Sequence, residues 1–209
     1  MSDTTACATA ELVYDLAIVM GWEITADVAR SLYTGMLTDT GGFRFSNTSP
    51  RCLAVAGQLL AYGVDPEDMY TRIYASAPAG RVRLMAEVLG TLQVDEALGL
   101  SWLTMNADAL EKHNVKSEDL DGIVEHARSI AGTRMALFFR DLGHEKVKVS
   151  FRSVGGTDVN AFAKRFGGGG HAKASGALLP GTLEQVRDLV VAAARELLSS
   201  KGDVVPSAG

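Results

Sequence analysis

The stretch FGGGGHAKASG, from Phe166 to Gly176, follows a helical pattern with four glycines, a histidine and a lysine. Glycines lose more backbone entropy on folding than other residues and bury no side chain, so this segment needs bare backbone. The helix before it carries Val159, Phe162, Ala163 and Phe166 at helical spacing, with Thr157 or Asp158 as its cap. It ends in Lys164 and Arg165, cations where the helix dipole favours them. Gly167 fits the position just past a helix end. The other glycines admit two readings. They can form a plain flexible loop, or a concave nest of backbone N–H groups that holds an anion. In the second reading His171 donates to a phosphate oxygen and Lys173 adds positive charge.

The residues around this stretch read as a small α/β unit. ASGALLP is a short strand after it, and RMALFFRD and KVKVSFRS are strands before it, joined by Leu142 to Glu145. TLQVDE and LSWLTMN read as a strand pair, and Ser117 as the cap of one helix through Leu120, Ile123, Val124 and Ala127. Leu183 to Leu198 is a final amphipathic helix. In KVKVSFRS the alternation puts Ser150 and Arg152 on one face and Val147, Val149, Phe151 and Ser153 on the other. Arg152 is then either a bidentate phosphate ligand or a surface cation paired with an acid.

The first half reads as helices. Ala10 to Met20 stops at Gly21, Thr25 caps a helix running to Leu37, Pro50 opens one ending near Gly63, and Asp65-Pro66-Glu67 starts a fourth to about Ala75. A fifth runs from Arg81 to Leu89. LTDTGGFRFSNT, residues 37–48, places Asp39 at the C-terminal end of an apolar helix, where negative charge is unfavourable. Asp39 is either a turn residue bonding the N–H of Gly41 or Gly42, or a carboxylate for a divalent ion.

Hydrophobic residues make up 47% and charged residues 22% of 209, enough to bury a normal core. A net charge of -5 argues against a non-specific DNA coat. Two cysteines in no ligand spacing suit a reducing, cytoplasmic setting better than a disulfide scaffold. No apolar run is long enough for a membrane helix, and no secretory leader is expected from MSDTTACATAELV.

Together, TAELVYDL, LYTGMLTDTGGFRFSNT, SFRS and GGGGHAKASG resemble the DHH-type phosphoesterases. The likeness is strongest to the RecJ-like oligoribonucleases that also dephosphorylate nucleoside 3′,5′-bisphosphates. The resemblance covers residues from about 4 to 198. It implies an α/β fold, with a helical remnant of the DHH domain followed by a mixed-sheet substrate-binding domain. On that basis residues 1–80 are the C-terminal part of a DHH domain and 81–90 a linker helix. Residues 91–199 are the DHH-associated C-terminal domain, and 200–209 a flexible tail. The resemblance also implies a Mn2+ or Mg2+ centre with Asp39 as one ligand, and a substrate side formed by Arg152, Ser153, Gly168, Gly169, Gly170 and His171. The implied partner is a short oligonucleotide or nucleotide phosphate. The family's earlier motifs, including Asp-His-His, do not occur in this sequence. The resemblance therefore implies an inactive or very weak chain that mainly keeps the substrate-binding part. The apolar helix faces of the first half then lack their sheet, which could drive homo-oligomer formation. A non-catalytic nucleotide- or RNA-binding module, and a fragment of a cyclic dinucleotide phosphodiesterase, are the alternatives.

Overall fold

The computed structural model describes residues 5–120 and 122–200, so the tail expected to be flexible lies, from residue 201 on, outside the described residues. The chain divides into two compact units between Ala77 and Pro78.

The first unit is helical: α1 (Thr9–Met20), α2 (Ala26–Asp39), α3 (Pro50–Leu60) and α4 (Pro66–Tyr74). Its starts and stops follow local chemistry. Gly21 closes α1 in the left-handed region at φ 65°. Thr25 accepts from Val28 N, Ser49 from Cys52 N, and Asp65 from both Glu67 N and Asp68 N. The core gathers Tyr14, Leu32, Met36, Val55 and Leu59. Val13, Leu16, Val19 and Met20 of α1, and Leu53 of α3, remain exposed, Val19 to 82%.

The second unit begins with α5 (Ala79–Leu89), read from sequence as a linker. Its Leu84 and Val88 are buried in that unit's core. There follow β1 (Gln93–Asp95), β2 (Leu100–Met105), α6 (Ala109–Lys112), a 3-10 turn (Ser117–Leu120), α7 (Ile123–Arg128), β3 (Met135–Asp141), β4 (Lys146–Ser153), α8 (Val159–Lys164), β5 (Gly169–His171), β6 (Ala174–Pro180) and α9 (Leu183–Ser200). The sheet order is β1-β2-β3-β4-β6-β5, with β2 and β3 parallel and the other pairs antiparallel. This is a mixed α/β architecture.

β3 lies mid-sheet and buries its first five residues, whereas β4 alternates. On one face Leu137, Phe139, Val149 and Phe151 pack against Phe162 of α8 and Val190 and Ala194 of α9. On the other face Leu103, Ala136 and Phe138 meet α5 and α7.

Two expectations change. The single helix capped by Ser117 is instead a 3-10 turn and a separate α7, divided at Gly122, whose φ of 89° breaks helical geometry. The glycine loop is not a loop throughout: Gly169–His171 is an edge strand, joined to β6 by the two-residue turn Ala172-Lys173.

Candidate phosphate-binding site

The register of the sheet organises the site. Arg152 on β4 lies opposite Ala174 on β6, and Ala174 lies opposite His171 on β5. Directly opposed residues share a face of a pleated sheet. Arg152, Ala174 and His171 thus form one row, with a methyl group between a guanidinium and an imidazole. The two outer backbones stand roughly 10 Å apart, two strand spacings. Ser150 and Gly176 form the next row along the same face. This face is opposite the one that packs on α8 and α9.

Each glycine in the run has its own reason. Gly167, at φ 71°, caps α8, and Gly168 N reaches back to Ala163 O. A Cβ on Gly168 would sit 2.2 Å from Gly176 O, so β6 passes too close for any side chain. Gly170 holds φ 146°, and a Cβ there would lie 2.6 Å from Ala174 O. Gly169 meets nothing nearer than Asn160 Oδ1, 4.0 Å from its would-be Cβ. That oxygen is buried without a hydrogen-bond partner. A left-handed backbone therefore accounts for Gly167 and close packing for Gly168 and Gly170, while Gly169 stands open on the exposed edge of the sheet.

Arg152 meets one of its two sequence readings, that of a cation paired with an acid. Its Nε donates to Glu125 Oε1 of α7 at 2.8 Å, and Nη1 donates to Phe151 O at 3.1 Å. Glu125 also pairs with Arg128. The acid anchors one side of the fork, and Nη2 keeps no hydrogen-bond partner among the described residues. Glu125 was not legible as part of the site, because its meeting with Arg152 needs α7 folded onto the sheet. Ser153 is buried, and its hydroxyl donates to Thr157 O at 2.8 Å and Ala172 O at 3.3 Å. It fastens the 154–157 loop and the β5–β6 turn to the end of β4. Lys173 points its ammonium at Gly155 O and, at 3.2 Å, Thr157 O. Its charge is thereby spent on the same loop rather than left free. His171 is exposed, and its backbone oxygen accepts from Ser175 Oγ.

Asp39 ends α2 in the first unit. The turn after it holds three successive left-handed residues, Gly41 at 59°, Gly42 at 72° and Phe43 at 61°. Phe43 lacks the freedom of glycine there, which marks local strain. The turn-residue reading of Asp39 does not hold: Gly41 N donates to Thr38 O and Gly42 N to Leu37 O. Thr40, fully buried, supplies the side-chain cap, accepting from Phe43 N at 3.0 Å. The Asp39 carboxylate is exposed and has no partner among the described residues. No group of three or more His, Cys, Asp or Glu among the described residues could hold a metal ion. The described residues thus do not by themselves fit a two-ion centre.

With this geometry in hand, likeness to known proteins is informative. The DHHA1 domain model matches residues 99–200. Over 201 residues the chain is 40% identical to the bifunctional oligoribonuclease and PAP phosphatase NrnA of Thermus thermophilus, covering 96% of this chain and 60% of that protein. The Bacillus subtilis protein of the same name is 30% identical over 178 residues, covering 84% and 56%. A solved structure, an exopolyphosphatase-related protein from Bacteroides fragilis, superposes with a TM-score of 0.80 at 31% identity, over 95% of this chain and 60% of that one. Residues 99–200 thus match a DHHA1 domain, and nearly the whole chain is similar to part of the NrnA oligoribonuclease and PAP phosphatases. The chain spans 56% to 60% of the length of these two curated relatives.

Proposed function

We propose that this chain supplies the substrate-holding part of a phosphoesterase acting on short oligonucleotides and nucleoside 3′,5′-bisphosphates. The row Arg152–Ala174–His171 is read as the phosphate seat. The observation that carries this reading is the register, which sets a guanidinium and an imidazole on either side of a residue small enough to admit an anion between them. Glu125 fixes the Arg152 fork and leaves a terminal N–H pair for a phosphate oxygen. His171 donates from the other side, and the edge backbone at Gly169 and Gly170 offers further N–H groups. Ser153, Gly168 and Lys173 position these elements rather than touch the ligand.

Asp39 is read as one carboxylate toward a divalent ion, Mn2+ or Mg2+. Its exposed, unpartnered charge at a helix C-terminus costs stability without a cation to offset it. Since the described residues do not complete such a centre, no catalytic step is assigned to them. The free buried thiols Cys7 and Cys52 fit a reducing compartment such as the cytoplasm.

The test is calorimetry of adenosine 3′,5′-bisphosphate with the 209-residue chain. Arg152→Gln should weaken binding by about 1.5–3 kcal/mol, the range for a charge-assisted hydrogen bond. Glu125→Gln should keep or improve affinity, because the amide oxygen still accepts from Nε while the negative charge beside the phosphate is removed. Unchanged affinity in Arg152→Gln would refute the seat.

A further inference from the structure

We propose that the β3–β4 face carries a second phosphate site, built on Arg140 and Lys148. It holds a further phosphate of a single-stranded oligonucleotide whose end sits at the Arg152 row. The proposal rests on the function assigned to that row.

The first observation is a like-charge pair. The register sets Arg140 of β3 directly opposite Lys148 of β4. Opposed like charges destabilise a sheet. Neither side chain has a carboxylate partner among the described residues. Arg152, on the same face, shows the contrasting case, since Glu125 balances it. Among the described residues, then, one cation pair stands without an acid while its neighbour Arg152 has one.

The second observation is an unmet hydrogen bond. Arg140 is half-buried, and its Nε is buried with no hydrogen-bond partner. Its terminal nitrogen touches Ser117 Oγ of the 3-10 turn. Burial pulls its guanidinium below the ordinary arginine value. A buried N–H without an acceptor costs stability, and an anion seated there would satisfy it and offset the lost hydration.

The third observation is space and spacing. Arg140, Lys148, Ser150 and Arg152 line one groove of about 320 Å³, with Ser117 at its rim and Phe138 in its wall. That volume admits a phosphate with part of a nucleoside. Lys148 and Arg152 are four residues apart on one side of β4, roughly 13 Å. A single phosphate cannot bridge that distance, but a chain of nucleotides can, with the Ser150 hydroxyl between its ends. The site therefore separates ligands by length. A nucleoside bisphosphate uses the Arg152 row alone, while an oligonucleotide uses both.

The experiment uses the 209-residue chain and a pentaribonucleotide carrying a 3′ fluorophore, read by fluorescence anisotropy, with adenosine 3′,5′-bisphosphate measured by calorimetry. Arg140→Gln/Lys148→Gln should weaken pentanucleotide binding by about tenfold to a hundredfold and leave bisphosphate binding unchanged. It should also make the plot of log affinity against log salt shallower by about 0.7, for one lost phosphate contact on a single strand. Lys148→Glu should weaken the pentanucleotide as well, yet raise the unfolding temperature, because it turns a repulsive cross-strand pair into an attractive one. Unchanged pentanucleotide affinity in the double variant overturns the proposal. So does equal weakening of both ligands, equal binding of a pentaglutamate, or no saturable pentanucleotide binding to the unaltered chain. If the double variant weakens the pentanucleotide but Arg152→Gln changes neither ligand, the groove stands and the Arg152 seat falls.

Discussion

Alanine substitutions along the glycine run separate the residues that packing demands from the one it does not. A methyl group on Gly168 would lie 2.2 Å from Gly176 O and 2.7 Å from the Ala177 Cβ, both on β6. Neither neighbour is a flexible side-chain end, so β5 and β6 must part. Overpacking of this kind costs typically about 1–3 kcal/mol. At Gly170 the methyl would lie 2.6 Å from Ala174 O, and the backbone sits at φ 146°, which adds roughly 1–3 kcal/mol of strain for a non-glycine residue. At Gly169 the nearest atom is 4.0 Å away and no positive φ is involved. Gly169→Ala should therefore change stability by no more than about 0.5 kcal/mol. Gly168→Ala should lose about 1–3 kcal/mol and Gly170→Ala about 2–6 kcal/mol, with roughly 3–5 °C lost per kcal/mol for a unit of this size. The readout is thermal unfolding followed by Trp102 fluorescence in a Trp22→Phe background, since Trp102 belongs to β2 of the second unit and Trp22 to the first. Equal losses at Gly168, Gly169 and Gly170, or none at Gly168, would refute the close approach of β5 to β6.

Further outcomes follow from the electrostatics and packing. Lys112, and after it His113, hold the Glu87 carboxyl below its ordinary value. Its contribution to stability is present above the unfolded carboxylate range and is lost as pH falls through the lowered folded value. Glu87→Gln should therefore flatten the acid side of the stability–pH profile, as measured by urea unfolding at a series of pH values. Burial first, then Cys52 and Glu11, push the Cys7 thiol far up, so at neutral pH it carries almost no thiolate. A thiol reagent should modify Cys7 only at the rate of unfolding, and rapid labelling of the native chain would contradict this.

Much of the secondary structure was written locally. Gly21, Thr25, Ser49-Pro50 and Asp65-Pro66 act through their own backbone and their nearest neighbours, so α1 ends, and α2, α3 and α4 begin, where those residues stand. The alternation in KVKVSFRS gave β4 and the face of Arg152 without further help. What stayed hidden depends on partners distant in sequence. β5 has no strand propensity of its own, and β6 imposes its extended form through a two-residue turn. The split at Gly122 depended on one glycine taking a left-handed conformation. The pairing of Arg140 with Lys148 and the grip of Glu125 on Arg152 both require register or helix packing that no local pattern encodes. The helical first half was legible, but Asp39 was left between two readings until the turn spent the glycine N–H groups on backbone carbonyls.

The central claim is that a nucleotide phosphate sits between Arg152 and His171. The most direct measurement is a titration of the isotope-labelled 209-residue chain with adenosine 3′,5′-bisphosphate, followed by NMR of the backbone amides and the arginine Nε–H groups. The account predicts saturable shifts at Gly169, Gly170, His171 and Ala174 and at the Arg152 Nε–H, with the Arg195 Nε–H, held by Asp95, unmoved. Saturation that leaves Arg152 and residues 169–174 unmoved, with the shifts gathered elsewhere in the chain, would contradict it.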